Sequence, residues 1–242
     1  MPGKVVSIES ARGAMRRVAQ ESIVNEVSYN LNGQRLGRKG RDTRERIISA
    51  AAQILSEQPE GGQLTLTEVA RRADLRMGTL YLYFADLTEL ILAALEPVMA
   101  TAEDAYVHLV RDYWPDELLG ERAGAFVEAY FAFWQRHTRI LHLRNTLADH
   151  GDDRLMLHRV RCALPVMRLI ASQMGSQPTP QGNPMSSMAT ALMTGLDRIV
   201  TVMTESKIPN LLNEPANPID LLLQAEARLF ELAIRDQRRQ AC

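Results

Sequence analysis

The sequence predicts an all-α protein. Apolar residues recur at i, i+3 and i+4 spacing through most of the chain, alternating Val/Ile/Thr/Tyr runs of strand type are nearly absent, and capping residues stand at the heads of the periodic segments. The chain has 242 residues, 46% of them apolar and 24% charged, which is ordinary for a globular protein with a sizeable core. Its 28 Lys+Arg nearly cancel 29 Asp+Glu. That balance argues against blanket coating of nucleic acid and leaves room for a local basic surface. Two cysteines, Cys162 and Cys242, can build neither a disulfide framework nor a four-Cys zinc site, and fit a reducing cytoplasm. No run approaches the ~18 apolar residues of a membrane span, so no membrane partner is expected. The opening MPGKVVSIESARGAMRR lacks the apolar core of a secretory signal.

Residues 5–27 place Val6, Ala14, Val18, Ile23 and Val27 among polar residues, which suits an amphipathic helix or an arm. Residues 34–46, QRLGRKGRDTRER, carry Arg35, Arg38, Lys39, Arg41, Arg44 and Arg46 against Asp42 and Glu45, a basic run fit for phosphate or for a solvated linker. Asp42-x-x-Glu45 resembles a capping box ahead of Ile47, Ile48, Ala51, Ile54 and Leu55, and Pro59 ends that helix. Thr65-x-x-Glu68 opens a short helix with Leu66, Val69, Ala70 and Ala73 inward. After a break at 74–76, Met77–Phe84 is a second short helical run. Asp86-x-x-Glu89 caps a longer helix that Pro97 should bend. Beyond it the spacing predicts helices over 116–135, 140–147, 153–174 (interrupted by Pro165), from Asn183-Pro184 to about 203, and from Asn217-Pro218 to about 238. Residues 175–183 read as a loop.

The segment 65–90, TLTEVARRADLRMGTLYLYFADLTEL, has the arithmetic of a helix-turn-helix: two short helices and a three- to four-residue break. Ala70 lets the helices approach, and Leu75, Leu80 and Phe84 supply an apolar underside. Such a pair lays its second helix in a major groove about 12 Å wide.

The run from Gly40 to Leu95, with Thr65, Val69-Ala70 and Gly78-Thr79-Leu80-Tyr81-Leu82-Tyr83-Phe84, resembles the DNA-binding domain of the TetR family of bacterial transcriptional regulators. The resemblance implies an N-terminal extension at 1–39, a three-helix helix-turn-helix domain at 40–96 and a helical ligand-binding and dimerisation domain at 97–242. It implies a cytoplasmic homodimer on a palindromic operator, with no enzyme activity, no cofactor and no metal. Carried over by position, Thr65 and Thr67 would touch phosphates, Arg76, Met77, Thr79 and Leu82 would face bases or backbone, Tyr83 would reach phosphate, and Gly78 would permit close approach. Arg41 and Arg44 of the basic run would add to the contact. Tyr81 suits packing or contact equally. Three positions depart from the family pattern: Leu87 stands where a phosphate-anchoring Lys is usual, Asp74 where Gly is usual in the turn, and Arg76 where Ser usually opens the second helix. Asp tolerates the left-handed conformation better than most residues.

In the C-terminal part the aromatics of 122–145 stand out in a chain only 5% aromatic. Tyr130, Phe131 and Trp134, with Met167 and Met193, are the candidate lining of a pocket for a small apolar or aromatic effector, and each also suits ordinary packing. Met188, Leu192, Leu196 and Ile199 on one late helix, and Leu222 and Leu229 on the last, form rows for a two-fold interface or for the chain's own core. His137, His142, His150 and His158 lack the spacing of metal ligands on one helix face. No GxSxG, HExxH, Walker or Rossmann string is present. The expected function is a repressor released from its operator by ligand; the alternative is a DNA-bound scaffold or activator whose C-terminal domain recruits a protein.

Overall fold

A computed structural model describes residues 30–31, 33–57, 64–175, 187–205 and 219–241. The fold is all-α. The described residues form ten helices: α1 (Arg38–Glu57), α2 (Leu66–Arg72), α3 (Met77–Leu80), α4 (Leu87–Ala100), α5 (Ala102–Ala105), α6 (Leu119–Arg136), α7 (Thr138–Asp149), α8 (Asp153–Gln173), α9 (Ser187–Met203) and α10 (Ile219–Ala241), with 3₁₀ turns at Val107–Val110 and Asp116–Leu118. The helix or arm expected at 5–27, the loop at 175–183 beyond Gly175, and the caps at Asn183 and Asn217 lie outside the described residues.

The head of α1 differs from the capping-box expectation. The helix begins four residues before Asp42, which is exposed on its side. Leu36, 6% exposed, anchors the start, and Arg41 closes it by donating from Nη1 to the Leu36 carbonyl at 2.9 Å. Burial of one leucine therefore sets the boundary. From there Ile47, Ile48, Ala51, Ile54 and Leu55 turn inward at helical spacing onto α2 and α4.

Thr65 caps α2 as expected, accepting from the Glu68 amide at 3.2 Å. The box is only half closed, because the Glu68 carboxylate pairs with Arg71. The turn after α2 has a specific cause. Asp74 adopts φ 52°, Leu75 N–H reaches back to the Ala70 carbonyl at 2.9 Å and Asp74 N–H to Arg71 at 3.2 Å. This is a Schellman closure with aspartate in the left-handed seat. Arg46 of α1 locks it by donating to the Ala73 carbonyl at 3.0 Å. The run expected over 77–84 is α-helical only to Leu80; i→i+3 bonds from Leu82 and Tyr83 carry the chain on as a tighter turn.

Asp86 caps α4, accepting from the Glu89 amide at 2.9 Å, while the Glu89 carboxylate accepts the Ala85 amide at 2.7 Å. Pro97 lies inside α4, near its end. The larger helical body packs α6 on α10 most extensively, with α7 on α8 and α9 between α6, α8 and α10. Its core runs through Trp114, Phe126, Trp134 and Phe230, all 2% exposed or less. Gln173, 2% exposed, stitches the irregular 107–116 stretch to α8: its amide donates to the Val110 and Asp112 carbonyls, and its carbonyl accepts the Trp114 amide. The body meets the N-terminal helices where α1 packs on α7 and α4 packs on α7 and α8.

Candidate nucleic-acid interface and buried cavity

Burial alternates sharply across the short segment 76–84. Leu80 and Phe84 are 0% and 1% exposed and hold it to the core, whereas Arg76, Gly78, Tyr81 and Leu82 are exposed on its outer side. Thr79 is half-buried; Met77 and Tyr83 are half-buried and pack against the core. Tyr81, left open between packing and contact, is 48% exposed and joins the outward face. A Cβ added at Gly78 would meet nothing within 4 Å, so this side of the helix has open space before it.

Thr65 and Thr67 at the head of α2 are exposed, with the Thr65 hydroxyl engaged in its cap. The arginines of the basic run divide. The Arg41 guanidinium is tied to Leu36, and Arg44 is half-buried with its guanidinium 5.4 Å from the centre of the Phe84 ring. A cation held against that ring braces the underside of the segment. One contact was missed in the sequence. Leu31 N–H donates to the Leu82 carbonyl at 3.0 Å, and the turn is closed by Asn30 and Gln34 bonding each other through backbone and side chains. Gly33, at φ 71°, was its signal.

A cavity of about 310 Å³ lies inside the helical body, lined chiefly by Tyr106, Tyr130, Phe133, Trp134, Met167 and Met193. Of the five residues expected there, Tyr130, Trp134, Met167 and Met193 line it and Phe131 does not. The face of α6 follows Tyr130, Phe133 and Trp134 at i, i+3 and i+4; Phe131 is turned about 100° away. The rings of Tyr106 and Tyr130 meet edge-on at 5.0 Å.

The polar part of this wall was not legible. Asp197 of α9 accepts from the Tyr130 hydroxyl at 3.2 Å and pairs with Arg159 of α8 at 3.0 Å; Arg159 also pairs with Asp149 at 3.2 Å. Arg144 of α7, 5% exposed, enters the same lining with its guanidinium 5.9 Å from the Trp134 ring. Burial drives the Tyr130 hydroxyl well above its ordinary range, so it is a neutral donor. Cys162 also lines the cavity, half-buried, its Sγ 3.8 Å from His158 Nε2, and burial raises its thiol above the ordinary value. Among the described residues no group of three His, Cys, Asp or Glu side chains could hold a metal.

Two bonds connect the body to the N-terminal helices. The Thr88 hydroxyl of α4 donates to the carboxylate of Asp152, the N-cap of α8. Arg154 at the start of α8 donates to Asp86, the N-cap of α4, at 2.9 Å. Eight lining residues of the cavity, from Met156 to Met167, sit on that same α8. The two bonds thus tie the start of α8 to the residues that immediately follow Phe84.

On the last helices the rows divide. Leu192 and Leu196 are buried in this chain's own core, because α9 is enclosed by α6, α8 and α10; Ile199 and Leu222 are half-buried. Met188 and Leu229 are 38% and 53% exposed, and Leu221 and Leu232 extend the outward row of α10. No described helix is long and apolar enough to cross a membrane.

No family model matches the sequence. The chain is similar to the HTH-type transcriptional regulator EthR of Mycolicibacterium smegmatis, 27% identical over 105 residues, covering 43% of this chain and 48% of that one. It is 30% identical over 119 residues to the HTH-type transcriptional regulator HbdR of Aromatoleum sp. strain CIB, covering 48% and 50% respectively. The chain thus spans about half the length of the curated relatives it matches. Among solved structures it resembles a TetR-family transcriptional regulator from Streptomyces coelicolor, with TM-score 0.58, 15% identity and 85% of each chain covered. It also resembles the fatty acid degradation regulator FadR of Bacillus halodurans, with TM-score 0.54, 16% identity, and 77% of this chain and 97% of that one covered.

Proposed function

We propose, from its fold and from its likeness to two HTH-type transcriptional regulators, that the chain is a DNA-binding repressor of the TetR family, released by a small apolar or aromatic ligand. The observation that carries this reading is the outward face of Arg76, Gly78, Tyr81 and Leu82 above a fully buried Leu80 and Phe84. An exposed helix held by a rigid underside is what the major groove admits. In this reading residues 40–96 form the DNA-binding head, 97–242 the effector and dimer domain, and 1–39 an extension whose basic end adds phosphate contacts. Thr65, Thr67 and Tyr83 are the phosphate contacts of the head, and Arg76, Met77, Thr79, Tyr81 and Leu82 its groove face.

The partner copy docks through the exposed row of α10, with Met188 of α9 beside it, so that two heads face one palindrome. The ligand occupies the cavity. Filling it moves α8, and the Thr88–Asp152 and Asp86–Arg154 bonds carry that movement to the head. A ligand that prefers the displaced state by a few kcal/mol shifts the population away from DNA. The aromatic-lined cavity favours this over recruitment of a protein by a filled core. The test is a gel-shift titration of the full-length protein on the DNA upstream of its own gene. A complex at low salt that weakens steeply as salt rises is expected; no complex at any salt refutes the reading.

A further inference from the structure

The lining of the cavity carries an unbalanced charge. Its ionised residues are Arg144, Arg159 and Asp197. Arg159 is neutralised twice over, by Asp197 and by Asp149. Asp197 is likewise satisfied, by Arg159 and by the Tyr130 hydroxyl. Arg144 is not. It is 5% exposed, no carboxylate of the described residues lies within ion-pair range, and its one hydrogen bond runs from Nε to Asn145 Oδ1 at 3.0 Å. Both terminal Nη groups are left for another partner. Arginine cannot shed its proton inside a protein, so the charge stays. An isolated buried charge is costly and is ordinarily paired. The Trp134 ring offers it partial compensation on one side.

We propose that the effector is an apolar acid: a carboxylate that pairs side-on with the Nη groups of Arg144, carried on an aromatic or alkyl body that fills the space among Tyr106, Phe133, Met167 and Met193. The proposal rests on the reading of this cavity as the effector site. A planar carboxylate matches the guanidinium fork in two parallel hydrogen bonds, and the mostly apolar walls strengthen the pair. The aromatic and methionine walls accept the body without demanding one shape. Anchoring on Arg144 also explains how occupancy is felt outside the cavity. Arg144 belongs to α7, which packs on α1 of the N-terminal helices as well as on α8.

The experiment is calorimetric and thermal-shift titration of the full-length protein with matched pairs of probes: 4-phenylbutyrate against 4-phenylbutanol, and decanoate against decanol. The acid of each pair is expected to bind at least about tenfold tighter than its alcohol, and Arg144→Met to erase that ratio while the alcohol binds as before. Arg144→Lys should restore part of the preference. Equal binding of acid and alcohol to the natural protein overturns the proposal while leaving a neutral-ligand site standing. Binding of neither probe pair overturns this proposal and removes support for the effector site itself. Should Arg144→Met fail to fold, the acid-to-alcohol ratio on the natural protein decides alone. Quenching of Trp134 fluorescence by 4-(4-iodophenyl)butyrate, lost in Trp134→Phe, locates the bound acid; undiminished quenching in that variant places it elsewhere and overturns the proposal.

Discussion

Replacing Thr88 by Val deletes one hydroxyl from the junction of α4 and α8 and leaves the shape nearly intact. Thr88 is 8% exposed and donates to the Asp152 carboxylate. A hydrogen bond to a charged acceptor contributes about 1.5–3 kcal/mol. Asp152 keeps two backbone donors, Arg154 and Leu155, each at 3.1 Å, so it is not orphaned and the loss falls near about 1.5 kcal/mol. In a protein of this size that lowers Tm by about 3–6 °C. Asp152→Ala removes the cap of α8 as well and strands the Thr88 hydroxyl, for about 2.5–4 kcal/mol together. The double variant should cost less than the two singles combined, by about 1.5 kcal/mol. Burial pushes the Asp152 carboxyl up, but the hydrogen bonds from Thr88, Leu155 and Arg154 outweigh it and hold the group below its ordinary 3.8. A lowered carboxyl stabilises above the unfolded value and loses that contribution as pH falls through the folded one. The gap between the natural protein and Thr88→Val should therefore close as the solution is acidified below about pH 4. Thermal unfolding at pH 7 and pH 3 gives all of these quantities. A Thr88→Val Tm within a degree of the natural protein, together with strict additivity, would refute the junction as an energetic link.

Three further predictions concern other parts of the molecule. Phe84→Ala should cost about 3–5 kcal/mol by chemical denaturation, because the ring is 1% exposed and also receives Arg44; under 1 kcal/mol would contradict the bracing role. Asp74→Gly should leave stability unchanged or raise it by up to about 1 kcal/mol, and Asp74→Ala should lower it by about 1–2 kcal/mol, since φ 52° strains any side chain that cannot bond locally. Leu229→Glu with Leu232→Glu, at positions 53% and 45% exposed, should convert a dimer into monomers in sedimentation with little change in helix content; an unchanged dimer would place the interface elsewhere.

The helical class and the frame of the head were legible because local chemistry decides them. Thr65 and Asp86 cap in place, and an aspartate fills the left-handed turn position. What the sequence concealed was decided by contacts distant along the chain. The start of α1 depends on where Leu36 is buried, which outweighs the capping signal of Asp42. Phe131 and Phe133 look alike in composition, and only the register of α6 against the cavity separates them. Leu192 and Leu196 suited an interface row or the chain's own core, and only the packing of α6, α8 and α10 around them places them in the core. The charged elements of the cavity wall are scattered over Arg144, Arg159 and Asp197, with no spacing to link them. The junction was hidden for the same reason, since Thr88 and Asp152 lie 64 residues apart.

The most direct test of the central claim compares the natural protein with Arg76→Ala and Tyr81→Ala in footprinting on the DNA upstream of its own gene. Both side chains are exposed, so Tm should stay within about a degree. The natural protein should protect two half-sites roughly 34–36 Å apart, or a multiple of that, and the Arg76 variant should weaken protection by about 10-fold or more. Full protection by both variants, or no protected site for the natural protein, would contradict the assignment of segment 76–84 as the part that meets DNA.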